Sequence, residues 1–88
     1  MIKTLQTKII QITGVEWTGE NEEEIRDFVG YTAKVRFDQT NGIHLKLWND
    51  LEHQWINCPH GHWVLKGLKG EFYPCEPEVL FMKYEIIE

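Results

Sequence analysis

The stretch Lys66-Gly67-Leu68-Lys69-Gly70 sets two ammonium groups beside two glycines in a chain that is otherwise acidic. Glycine accepts left-handed backbone conformations, and N–H groups in such turns converge on an anion. This stretch therefore has the composition of a phosphate-holding nest, with Lys66 and Lys69 supplying charge around the Gly67 and Gly70 backbone. Trp17 or Tyr73 would supply a ring on which a base stacks, and Trp63 opens the same segment. Thr18 and Asn21, near the start of a helix, would add hydrogen bonds. The ligand expected at such a site is a small nucleotide-like anion. The same residues also fit a two-glycine hairpin with solvated lysines and no ligand.

Other chemistries have less behind them. Cys58, His60 and His62 alternate in CPHGH and Cys75 lies downstream, which supplies sulfur and imidazole for zinc. The spacing is not that of a zinc knuckle, and Pro59 and Gly61 break the strand geometry that would bring the three together, so no metal site is expected. Cys75, after Pro74, reads as a small packed hydrophobe. No carboxylate pair, phosphate loop or nucleophile elbow supports an enzyme, and no cofactor is implied. Trp48 stands apart from the other tryptophans: alternation puts it with His44 and Lys46 on the face opposite Ile43, Leu45 and Leu47. An exposed Trp among polar neighbours stacks on a base or anchors a partner.

The elements that position these residues follow from periodicity and turn chemistry. Lys8 to Trp17 is rich in β-branched and aromatic residues and predicts a first strand, bent or bulged at Gly14. In TGENEEEIRDFVG, Asn21 and Glu24 make a capping-box pattern, Gly30 supplies a left-handed C-cap, and Ile25, Phe28 and Val29 share a face. Glu22 to Glu24 meet the positive end of the helix dipole. Tyr31, Ala33, Val35 and Phe37 alternate with Thr32, Lys34 and Arg36, predicting a half-buried strand. Asn41-Gly42 turns the chain into a partner carrying Ile43, Leu45 and Leu47, and Asn49-Asp50 turns it again. Leu51 to Cys58 and Trp63 to Lys66 read as further strands, and Met82, Tyr84 and Ile86 as the inward positions of a last one. Pro77 opens a helical turn over Glu78 to Phe81. The sum is an α+β domain: a twisted, mostly antiparallel sheet, a meander curled toward a partial barrel, with a short helix near the N-terminus and a helical turn near the C-terminus.

With 88 residues and no linker or repeat, the chain is expected to be a single domain over residues 1–88. A net charge of −5 repels a phosphate backbone and argues against non-specific nucleic-acid binding. Two cysteines, the lack of an apolar core in MIKTLQTKII and the absence of a membrane-length apolar run lead to the expectation of a reducing cytoplasm and no membrane.

Two segments carry a resemblance. EWTGEN followed by an acidic helix ending DFVG, together with GHWVLKGLKGEFYPCEPEVLFMKYE, is similar to a family of small tailed-phage and prophage proteins. These run from an N-terminal Q/E-W-T-G-x-N to a C-terminal G-D-W-x-x-K-G-x-K-G-E-F-Y-P-C-x-P-D. Trp17, Thr18, Gly19 and Asn21 match the first motif; Trp63, Lys66, Gly67, Lys69, Gly70, Glu71, Phe72, Tyr73, Pro74, Cys75 and Pro77 match the second. His62 stands where the pattern has an acid, and Cys58 and His60 match nothing in it. The resemblance covers the chain end to end, with divergent middle strands, and implies a phage-encoded accessory protein acting in the bacterial host cell. Counter-defence is the class such proteins suggest by analogy. The expected function is a non-enzymatic binder of a small anionic ligand. The alternative is a protein-interaction module or host-protein inhibitor, one form of which is a homo-oligomer through Trp48, with an acidic nucleic-acid mimic as a weaker variant.

Overall fold

In the computed structural model, which describes residues 1–88, the chain forms two three-stranded antiparallel sheets and two helices. Strand β1 (Thr13–Glu16) leads into α1 (Glu22–Val29). A single 3-10 turn over Thr32–Lys34 then gives way to β2 (Val35–Asp38), β3 (His44–Asn49) and β4 (Gln54–Cys58). Strands β5 (Trp63–Lys66) and β6 (Phe72–Cys75) follow, and α2 (Pro77–Lys83) closes the chain. The middle sheet is the expected meander β2-β3-β4; the other has the order β1-β5-β6, so β1 waits for a partner from the far end of the chain. The fold is α+β with mostly antiparallel sheets and no closed barrel.

The core lies between the sheets and α1. Register pairs Val35 with Leu47, Phe37 with Leu45, Leu45 with Cys58 and Leu47 with Ile56, so these side chains share one face. They meet Val64 and Phe72 from the other sheet, Ile25 and Val29 from α1, and Trp17, which is fully buried. Asn49 joins the layers: its Nδ2 donates to the Phe72 carbonyl (2.9 Å) while its Oδ1 accepts from the N–H groups of Leu51 (3.0 Å) and Glu52 (2.8 Å). The opposite face of the β1-β5-β6 sheet is covered by α2. There Leu65 and Leu80 are buried, and Trp63 packs edge-on against Phe81 at 6.1 Å.

Several expected boundaries move. The first strand spans Thr13–Glu16 and not Lys8–Trp17, because Thr13 pairs with Lys66, the last residue of β5, and nothing lies beyond it to pair. Gly14 forms no bulge. A Cβ there would lie 2.5 Å from Leu65 Cδ2, so the glycine makes room for that side chain. Tyr31 to Lys34 is a turn, with the Lys34 N–H donating to Tyr31 O (3.0 Å), and Tyr31 and Ala33 face solvent. Leu51 to His53 is turn, with β4 beginning at Gln54. The segment FYPC, for which periodicity predicts no element, is β6. Met82 lies in α2 rather than in a strand, and Tyr84 to Glu88 has no regular structure; Met82 and Ile86 face solvent. The capping box also differs: Glu24 Oε1 accepts from Asn21 Nδ2 (2.6 Å), side chain to side chain, while Gly30 caps α1 in the left-handed region as expected.

Candidate functional site

The two terminal motifs meet in space, along β1 and β5. Glu16 pairs with Trp63, the Trp17 N–H donates to His62 O (2.9 Å) and the Gly61 N–H to Trp17 O (2.7 Å). The contact does not assemble a ligand site. Thr13 pairs with Lys66 at one end of the strand pair and Glu16 with Trp63 at the other. Trp17, Thr18 and Asn21 are therefore separated from the Lys66–Gly70 loop by the length of β1, about 13 Å for four residues.

Each end is occupied by its own contacts. Trp17 is wholly buried beside Phe37 (5.4 Å) and His60 (5.6 Å), so no base can reach its ring. Asn21 Oδ1 accepts from the Thr18 N–H (2.9 Å) and the Thr18 hydroxyl (3.0 Å), and its Nδ2 also donates to Glu16 O (2.7 Å). The Thr18 hydroxyl in turn accepts from the Glu20 N–H (3.2 Å). Gly19 has φ 92°, and a Cβ on it would lie 2.9 Å from the His60 ring, which is held by a 2.7 Å bond from Nε2 to Ile43 O. EWTGEN is thus a turn that locks β1 to α1 and to the β4–β5 connection.

At the other end the expected nest does not form. Only Gly70 of the pair is left-handed (φ 81°). The Gly67 N–H donates to Glu71 O (2.7 Å) and the Gly70 N–H to Gly67 O (3.0 Å), which closes the β5–β6 hairpin. The Glu71 carboxylate lies where a Cβ on Gly67 would be, and its Oε2 accepts from the Lys69 N–H (3.2 Å). The loop already holds an anion, its own glutamate. Lys66 and Lys69 extend into solvent. Tyr73 is half-buried on the α2 side of the sheet, where burial, with Tyr84 alongside, pushes its phenol up. A cleft of 390 Å³ beside Tyr73 is lined by Glu52 and Glu71 and by no lysine or arginine, the wrong sign for a phosphate.

Cys58, His60 and His62 do not converge. Cys58 points into the core, where burial pushes its thiol up to about 12 and leaves it inert as a nucleophile or ligand. No three His, Cys, Asp or Glu side chains are grouped as metal donors.

What the fold does build is the outer face of the β2-β3-β4 sheet. Leu45 and Leu47 are buried, so His44, Lys46 and Trp48 project outward as alternation requires. Cross-strand pairing brings Arg36 beside Lys46, Lys46 beside Asn57, and Trp48 beside Trp55. The two indoles meet edge to face at 5.6 Å and 65°, His53 packs against Trp48 at 6.5 Å, and the Arg36 guanidinium lies 4.1 Å over the Trp55 ring. Such contacts fix the side chains in place before any partner arrives. Lys34 closes one border with a 2.6 Å ion pair to Asp50, whose carboxyl this bond holds below the usual range. Asp38 bounds another, its carboxyl lowered by hydrogen bonds from Thr40. A cleft of 320 Å³ adjoins Lys46, Asn57 and His44.

Trp48 was legible from alternation. For Trp55 the signal is the parity of QWINC, which, with Cys58 and Ile56 inward, puts Trp55 and Asn57 outward. Comparison with protein-family models, with curated proteins and with solved structures gives no match. No helix is long and apolar enough to cross a membrane.

Proposed function

We propose that the protein is a non-enzymatic interaction module that docks another protein on the outer face of the β2-β3-β4 sheet. The observation that carries this reading is the Trp48–Trp55 pair with Arg36 stacked on it, held on a solvent-facing sheet surface. Trp and Arg are the side chains whose burial dominates protein interfaces, and here both are preorganised. A single-stranded nucleic acid fits less well: the indoles are engaged edge to face with each other, one Trp55 face is taken by Arg36, and the net charge is −5. The adjacent Arg36 and Lys46 give the face one sign of charge, which opposes its pairing with a second copy and favours a different protein, one that presents carboxylates and an apolar surface. The resemblance of the terminal motifs to phage proteins supports a bacterial host protein as that partner and counter-defence as the setting.

The test is retention of a host protein on the immobilised chain. Trp48→Ala and Arg36→Glu should each weaken binding by about thirtyfold, a loss of about 2 kcal/mol, with the circular dichroism spectrum unchanged. The Lys66→Ala/Lys69→Ala double variant should bind as the parent does. Retention indifferent to Trp48 and Arg36 would remove the reading. So would a thermal shift with a nucleotide that disappears in the lysine double variant, which would return the function to the β5–β6 loop.

A further inference from the structure

The first eleven residues are exposed, and the chain meets the body of the protein at the half-buried Ile12. Met1, Ile2, Leu5 and Ile9 are almost wholly exposed, and the chain measures 52 × 29 × 21 Å with a radius of gyration of 14.6 Å. A compact chain of this length would have a radius of about 12 Å. The segment Lys8–Ile12 carries three isoleucines and runs directly into β1 in the sequence, yet it has no strand to pair with.

The outer edge of β1 is open. Trp17 directs its N–H and C=O toward the β5 side, bonding His62 and Gly61. Alternation along an antiparallel strand sends Val15 and Thr13 the same way and turns the groups of Gly14 and Glu16 outward. β5 pairs with β1 from one side only, and β1 is an edge of its sheet. Of the outward groups, Glu16 O accepts from the Asn21 side chain, and Gly14 has no partner in either direction. Ile12, Ile10 and Lys8 share this parity, so that Lys8–Ile12, once extended as a strand, would continue the same edge.

We infer that this edge is completed by a second copy of the chain: Lys8–Glu16 pairs antiparallel with Lys8–Glu16 of the other molecule about a two-fold axis at Ile12, joining two three-stranded sheets into one of six strands. Charge selects the register. With Ile12 opposite its own copy, Lys8 of each molecule stands opposite Glu16 of the other, and the pair occurs twice by symmetry. Ile10 falls opposite Gly14, Ile9 opposite Val15 and Gln11 opposite Thr13. A slip of two residues either way sets Lys8 opposite Gly14 or Glu16 opposite Ile10 and loses both ion pairs. Glu16 O is already engaged by Asn21, so the ladder stops at that pair. The exposed β-branched run, a liability on a lone edge strand, becomes the middle of a sheet.

Sedimentation equilibrium of the full chain over a range of concentrations tests this. The parent should show a reversible monomer–dimer equilibrium. Ile12→Pro removes the central outward N–H of both copies without touching the β1–β5 ladder. It should raise the dissociation constant on the order of a hundredfold, with the thermal midpoint of the isolated monomer preserved. Lys8→Glu should raise it about tenfold, and Lys8→Glu/Glu16→Lys should restore it. Trp48→Ala should leave the dimer intact. A chain that stays monomeric at every concentration overturns the inference, as does a dimer indifferent to Ile12→Pro or dissolved by Trp48→Ala. Failure of the charge swap to restore pairing overturns the register.

Discussion

At Asn49 one amide serves two purposes, and it is the buried polar residue of the core. Its carbonyl caps the β3–β4 turn through Leu51 and Glu52, and its NH2 bridges to the Phe72 carbonyl of the other sheet. Truncation would strip all three bonds and leave a buried carbonyl unpaired, so Asn49→Ala should cost about 2–3 kcal/mol, read as a lower urea midpoint. Asn49→Asp keeps the turn acceptors but faces the Phe72 carbonyl with a buried carboxylate, and should be at least as destabilised. In the sequence Asn49 reads as a turn residue; it is the last residue of β3, and its side chain caps the turn that follows. Its bridging half was illegible, because Phe72 lies 23 positions away and only packing of the two sheets makes it a partner. The glycines divide the same way. The αL cap at Gly30 follows from local sequence, whereas Gly67 and Glu71 look like half of an anion site until the glutamate is seen to fill it.

Among the elements, the β1–β5 pairing has the least slack. Gly14 leaves the space into which Leu65 Cδ2 projects, with Trp63 Cε3 3.7 Å from where its Cβ would stand. Gly14→Val should cost about 1–3 kcal/mol in urea unfolding by forcing Leu65 against α2, and it should shift the fluorescence of the neighbouring Trp63. Combined with Leu65→Ala the two losses should be less than additive, because the smaller side chain vacates the contested space. Strong local signals named α1, the β2–β3 hairpin and β5. They failed where pairing decides: Lys8–Ile12 has strand composition and no partner strand, and β6 carries a proline yet closes the sheet as an edge. The C-terminal segment went to α2 rather than to a strand because the exposed side of β1-β5-β6, with Leu65 and Trp63 on it, needed a cover.

For the molecule as a whole, eleven of 88 residues are buried, so global stability rests on a small core and each member of it matters. Cys58 makes this measurable through pH. Burial pushes its thiol from 9.0 up to about 12. Below the lower value both states keep the proton and stability does not depend on this group. Above it the unfolded chain ionises while the folded one does not, so stability is lost as pH rises, at about 1.4 kcal/mol per pH unit within that window. The urea midpoint should fall from pH 9 upward. Cys58→Val should flatten the fall between that point and the onset of tyrosine ionisation.

By itself the sequence determined the α+β class, the meander, the capped acidic helix and the outward placement of Trp48, because period and turn chemistry act within a few residues. Only the tertiary structure decided that the two motif-bearing ends meet as one sheet, that Trp17 is core and that Glu71 fills the Lys-Gly loop. It alone placed Trp55 and Arg36 beside Trp48 on an open face. Each of these depends on which strands become neighbours, and that is settled by burial shared across the chain rather than by local sequence.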